Sequence, residues 1–175
     1  MGASGLLGLK AVAQAAIPPA PEVRAALPQA QRAGATRLVV WGFDVYDASL
    51  WVAPDFRADA WERNSFALEL RYLRSFDGDD IAGRSLREMR RAGPLTPGQA
   101  IEWLRAMQSI FPDVRKGDRL VGIHEPAVGA TFFHNGAPRG QLRDPAFAER
   151  FFAIWLGPQT SEPALRAALL APLAR

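Results

Sequence analysis

The sequence has no cysteine, which removes disulfide staples, thiol nucleophiles and cysteine-ligated metals together. Lysine is nearly absent, at Lys10 and Lys116, so the positive charge is carried by arginine. The net charge is only +3 and no run of five like charges occurs, so the electrostatic footprint of nucleic-acid binding is missing. No stretch reaches the roughly 18–20 apolar residues of a membrane-spanning helix. The two histidines, His124 and His134, fall at the ends of predicted strands. A hairpin would bring them near each other, but no third ligand is evident and no metal site is expected. There is no Gly-x-Ser-x-Gly elbow, and Gly93–Gly98 lacks the Lys-Ser/Thr of a phosphate loop. Asp77, Asp79 and Asp80 lack EF-hand spacing and read as a solvated turn. Nothing in the pattern calls for a cofactor.

What the chain does have is apolar bulk. Hydrophobic residues make up 49% and charged residues 22% of its 175 positions, the balance of one globular domain rather than a disordered segment. Five Trp and ten Phe supply a large aromatic core. The N-terminal stretch Gly2–Ile17 is alanine-rich, with Ala13-Gln14-Ala15 resembling a cleavage site, but it lacks a basic n-region and is interrupted by Lys10. Two readings stand: a shortened secretory signal, implying a periplasmic or secreted protein, or a tail on a cytoplasmic one. After Pro18-Pro19-Ala20-Pro21 the ordered domain is expected from Val23, giving a tail over 1–22 and a domain over 23–175.

Periodicity sets the elements. Thr36–Tyr46 reads as one β-strand with Arg37, Val39, Trp41, Phe43 and Val45 on one face, and Asp47-Ala48-Ser49 as a bend before Leu50–Val52. Phe66–Arg74 alternates more cleanly, with Phe66, Leu68, Leu70 and Tyr72 on one face and Glu69 and Arg71 on the other. Ser85–Glu88 and Thr96–Gln99 have the form of capping boxes, the second with Pro97 at the first helical position. Ile81 implies that the first of these helices extends upstream of Ser85, or that a short helix precedes it. Arg119–His124 and Ala130–His134 form a predicted hairpin, and Asn135-Gly136 is the strongest turn signal, leading to a strand near Arg139–Arg143. Asp144-Pro145 starts a helix whose run Phe151–Leu156 is apolar nearly all round and must be deeply packed, and a last helix begins near Ser161. Strands, then helices, then a hairpin, then helices describe an α+β fold with mainly antiparallel pairing.

Several of these segments resemble the bacterial chalcone isomerase-like family: Gly34–Arg37 leading to Phe43–Trp51, Phe66–Tyr72 followed by Ser85–Arg91, Phe111–Val114 followed by Gly117–Leu120, and Gly140 through Asp144–Ala148, Phe151–Gly157 and Leu165–Leu170. The resemblance covers Val23 to the C-terminus. It implies a large, curved, mainly antiparallel sheet with a layer of helices over one face and an apolar cleft between them. Plant enzymes of the superfamily cyclise chalcones in that cleft, and a fatty-acid-binding branch holds an acyl chain there.

By this resemblance Arg37 matches the arginine that stabilises the enolate in the enzymes. The threonine expected before the Val-Tyr pair is replaced by Val40-Trp41-Gly42, no tyrosine or asparagine matches near Leu95–Gln99, and Phe147–Leu156 has no Ser or Thr. The isomerase constellation is mostly missing. The resemblance then implies a non-catalytic protein that binds a fatty acid or other lipophilic carboxylate. Arg37 would be its ionic anchor, Tyr46 or Tyr72 a hydroxyl donor, and Trp41 and Phe43 apolar walls; the residues alone equally allow Arg37 to be a strand arginine paired to a neighbouring acid, Tyr46 to be core packing with a satisfied hydroxyl, and Trp41 and Phe43 to be plain core. Tyr72 and Arg71 lie on opposite faces, so at most one of them can face the cleft. The alternatives are an isomerase acting on a small molecule and a partner-binding protein with a filled cleft.

Overall fold

Each strand of the sheet pairs with the next strand in sequence. In the computed structural model, which describes residues 17–173, six strands form one antiparallel sheet in the order β1 (Gln31–Val40), β2 (Phe43–Val52), β3 (Phe66–Tyr72), β4 (Arg119–Glu125), β5 (Gly129–His134) and β6 (Ala137–Leu142). The long excursion between β3 and β4 carries α2 (Gly78–Met89) and α3 (Pro97–Ile110). After β6 come α4 (Pro145–Leu156) and α5 (Pro163–Leu170). The short α1 (Pro21–Ala26) precedes the sheet. Most of the signal-like stretch, residues 1–16, lies outside the described residues.

The main core lies between the sheet and helices α2 to α5. Ala48, Leu50, Leu68, Leu70 and Phe132 face Met89, Met107, Phe147, Phe152 and Leu169. β3 follows its alternation: Phe66, Leu68, Leu70 and Tyr72 are buried toward the helices, and Arg71 is exposed on the opposite face. α4 is the apolar helix expected, with Phe147, Phe151, Phe152, Trp155 and Leu156 all buried. Asp144 caps it by accepting from the Phe147 amide at 3.0 Å, and its other carboxylate oxygen accepts from the Trp103 indole at 2.8 Å. Thr96 and Gln99 form the reciprocal capping box at the start of α3. Gly34 sits where α5 crosses β1, since a Cβ there would collide with the Leu169 carbonyl. Bulges at Arg32/Gly34, Leu38/Val39 and Phe132/Phe133 increase the local twist of the strands.

The outer face of the sheet has a small core of its own, in which Val23 of α1 and Leu27 just after it pack on Trp51, Ala67, Val121 and Ile123. α1 begins at Pro21, ahead of the expected Val23, and Glu22 is held by Arg119 at 2.6 Å.

Four local expectations are corrected. Thr36–Tyr46 is not one strand: the chain reverses at Trp41-Gly42, a two-residue turn with φ of 50° and 80°, the pattern of a type I′ hairpin. Trp41 conceals the turn because tryptophan favours strands and rarely adopts positive φ. The bend expected at Asp47-Ala48-Ser49 is absent, because β2 runs unbroken in register with β3 from Tyr46 to Val52. Ser85 does not cap α2. The helix starts seven residues earlier at Gly78, whose amide donates to Asp113, and the Ser85 hydroxyl donates back to the Ile81 carbonyl. The histidines do not meet: His124 pairs with Ala130 and His134 with Leu120, at opposite ends of the β4–β5 ladder.

Candidate ligand-binding cleft

The inner face of the sheet and the covering helices leave a cleft of about 400 Å³ between them, within the range of small-molecule sites. Its sheet wall is Leu38, Val40, Val45, Leu70, Leu120 and Phe132. Its helix wall is Ile81 of α2 with Phe151, Ile154 and Trp155 of α4. Most of these positions follow from periodicity: alternate residues of the strands point inward, with Val45 the extra residue at the bulge opposite Leu38/Val39, while Ile81, Ser85 and Glu88 recur at helical spacing on one face of α2.

Both tyrosines reach the cleft. Tyr46 and Tyr72 are cross-strand partners on β2 and β3, with ring centroids 5.9 Å apart in an edge-on contact. The Tyr46 hydroxyl accepts from the Trp155 indole at 3.0 Å, so its own proton remains available to a ligand. Burial pushes the Tyr46 phenol up to about 12, against the nearby Arg84 charge and with the help of Glu162 and Glu88. Burial, together with Tyr46, also raises Tyr72 well above the ordinary phenol range. Both are therefore proton donors at neutral pH.

The charged groups cluster at the mouth: Arg74, Arg84 and Arg87 with Asp80, Glu88 and Glu162. Among the described residues the three arginines form no ion pair with a protein carboxylate. One carboxylate oxygen of Glu88 is buried without a hydrogen bond, and its nearest cation, Arg91, is 3.9 Å away.

Arg37 is placed elsewhere. The shared face expected for Arg37, Trp41 and Phe43 does not form, because the Trp41-Gly42 reversal puts Phe43 on the next strand. Arg37 alternates with the buried Leu38 and lies on the outer face, outside the cleft lining. Its guanidinium donates to Asp47 at 2.7 and 3.1 Å and to Asp44 at 2.8 Å. The Asp47 hydrogen bond and charge, followed by Asp44, hold it protonated even more firmly than an ordinary arginine. Trp41 and Phe43 do border the cleft, at its rim. Sequence reasoning missed Arg84, whose signal was its place beside Ile81, Ser85 and Glu88 at helical spacing on α2.

His124, at the end of its strand, is buried. Its ring stacks on Phe66 at 4.8 Å and meets Phe152 edge-on at 5.4 Å, and its Nδ1–H donates to the Asn64 carbonyl at 2.8 Å. Burial lowers its pKa, opposed by the Asn64 carbonyl and by Glu149, Glu62 and Glu125. With the folded value below the unfolded one of about 6.5, His124 must reduce stability as pH falls from about 6.5 toward the folded value. The stability advantage of the native protein over His124→Gln is expected to shrink between pH 7 and pH 5. Urea unfolding at both pH values measures it, and a constant difference would show that the imidazole does not titrate.

A family model described as chalcone isomerase-like matches residues 13–171 of this chain. An uncharacterized protein of Haemophilus influenzae is 29% identical over 133 residues, which is 74% of this chain; the chain spans 63% of that relative's length. The crystal structure of a fatty-acid binding protein of Arabidopsis thaliana superposes with a TM-score of 0.64 at 11% identity, covering 81% of this chain and 87% of the other. At that identity the likeness is one of fold. Among the described residues no helix is long and apolar enough to cross a membrane.

Proposed function

The chain belongs to the chalcone isomerase-like family, and from that premise we propose that it is a non-catalytic binding protein for a fatty acid or similar lipophilic carboxylate. The observation that carries this reading is the apolar cleft of about 400 Å³ with two protonated phenols inside it and unpaired arginines at its mouth. The acyl chain would lie between Leu70, Leu120 and Phe132 on one side and Phe151 and Ile154 on the other, each buried methylene contributing about 0.8 kcal/mol. The carboxylate would sit between Arg84 and the Tyr46 hydroxyl. Trp155 fixes that hydroxyl, leaving its proton to donate. The Arabidopsis protein named for fatty-acid binding has this fold, which supports the ligand class.

Arg84 is exposed at the cleft mouth, so its contribution is that of a solvent-screened pair, about 1 kcal/mol or roughly fivefold in affinity. Arg84→Ala is therefore expected to weaken dodecanoic acid about fivefold while leaving methyl dodecanoate within twofold. Calorimetric titration of both ligands against both proteins tests this. Equal losses for acid and ester would remove Arg84 as the anchor.

A second reading, an isomerase, is favoured by the same pair of phenols, because two desolvated donors could stabilise an enolate oxygen. Cyclisation of naringenin chalcone, followed by absorbance, decides between the two. We expect none above background, and turnover lost in Tyr46→Phe would establish the enzyme.

A further inference from the structure

The most exposed large hydrophobic side chain among the described residues is Trp41, with 93% of its surface in solvent. It stands at the apex of the β1–β2 hairpin, flanked by Val39 at 49% and Phe43 at 58% exposure. The turn does not need it. Trp41 has φ of 50°, a conformation that suits asparagine or glycine and disfavours a bulky side chain. A tryptophan that burdens its own turn and packs on almost nothing has no role in folding. From an outlier of this kind the inference runs toward function.

We propose that this apex is a bilayer-docking wedge that inserts Trp41, Phe43 and Val39 into the lipid headgroup region and so sets the cleft mouth against a membrane surface. Three observations single out a lipid surface. Tryptophan and phenylalanine are side chains that seat at a membrane interface. The exposed apolar surface of the three residues is on the order of 400 Å², about half of the roughly 800 Å² that each partner brings to a stable protein dimer. Trp41 and Phe43 also border the cleft, so an inserted apex would leave the cleft opening directly onto the acyl region.

Charge has a secondary part. Arg37, on β1 below the apex, is paired with both Asp44 and Asp47, so this cluster carries a net negative charge and gives no attraction to lipid phosphates. Arg74, with its guanidinium 4.9 Å from the Phe43 ring centre, is placed to meet lipid phosphates while its stem lies along the ring. Docking is thus driven by apolar insertion and persists on zwitterionic lipid. This inference does not rest on the ligand reading, because the wedge would seat whatever the cleft holds.

The test is sedimentation of the full chain with phosphatidylcholine vesicles, with and without phosphatidylglycerol. Wild type is expected to associate with both. Trp41→Asn is expected to lower the partition coefficient by about tenfold or more while unfolding at higher urea, since asparagine relieves the turn. Ile101→Ser, which removes a half-exposed apolar residue from α3, away from the apex, should leave partitioning unchanged. The proposal is overturned by wild type remaining in the supernatant with both vesicles, by Trp41→Asn sedimenting like wild type, or by association confined to anionic vesicles. Sedimentation velocity showing a dimer that Trp41→Asn dissociates would also overturn it, by making a second copy the occupant.

Discussion

Phe66→Ala is expected to lower the free energy of unfolding by about 3–5 kcal/mol. Phe66 is fully buried at the start of β3. It is paired across the ladder with Val52 on one side and His124 on the other. Its ring lies in a cage of aromatics: His124 stacked at 4.8 Å, Phe152 edge-on at 5.0 Å, Phe56 at 5.9 Å and Trp61 at 6.1 Å. Such pairs contribute about 0.5–1.5 kcal/mol beyond area burial. The site is poorly able to collapse, because its backbone is fixed by strands on both sides and its neighbours are rigid rings, so most of the cavity would persist. Ile101→Ala on α3, at 54% exposure, should change stability by less than about 0.5 kcal/mol. Urea unfolding of the two variants makes the comparison. A Phe66→Ala loss below about 1 kcal/mol would mean that the aromatic cage is not a cooperative part of the core.

That cage also shows how far the sequence could be read. The alternation Phe66–Tyr72 fixed which side chains of β3 face the helices, and the all-round apolar character of Phe151–Leu156 required that α4 be covered. Neither pattern says which ring meets which, and that pairing brings His124 into the core. A histidine at a strand end reads as polar until the Asn64 carbonyl, sixty residues away, is found to accept its proton. The two hairpin turns make the same point from backbone chemistry. Asn135 and Trp41 have almost the same φ, 49° and 50°. Asn-Gly announces a type I′ turn because asparagine tolerates that region, and Trp-Gly conceals one. The face expected for Arg37 depended on the concealed turn. Without the reversal Arg37 shares a face with Trp41 and Phe43, and with it Asp44 and Asp47 come back alongside to neutralise the guanidinium. The cleft's own cation, Arg84, lies in the upstream helical stretch that Ile81 implied, but nothing local marks that face of α2 as lining the cleft, and the helix start at Gly78 is signalled by an interaction with the distant Asp113 rather than by a local cap.

If the cleft holds an acyl chain as proposed, Leu70→Trp is expected to lower affinity for dodecanoic acid about a hundredfold or more and to leave the fold intact. Leu70 lies midway along β3 on the inner face, opposite Ala48 and Leu120, where it lines the cleft. An indole projecting from that position would displace about four methylenes of ligand contact, or ~3 kcal/mol, which is a little over two decades in affinity. Inserting bulk into a packed core costs about 1–3 kcal/mol because neighbours must leave their rotamers. Here the added volume enters space that is already open, so the change in unfolding free energy should stay within about 1 kcal/mol. The two measurements separate the readings of the cleft. Loss of binding with stability retained is the result expected of an open ligand site. Destabilisation by about 1–3 kcal/mol would mean that the helices close on the sheet in solution and the cleft is filled by its own side chains. Binding unchanged in a stable Leu70→Trp protein would place the acyl chain outside this cleft altogether.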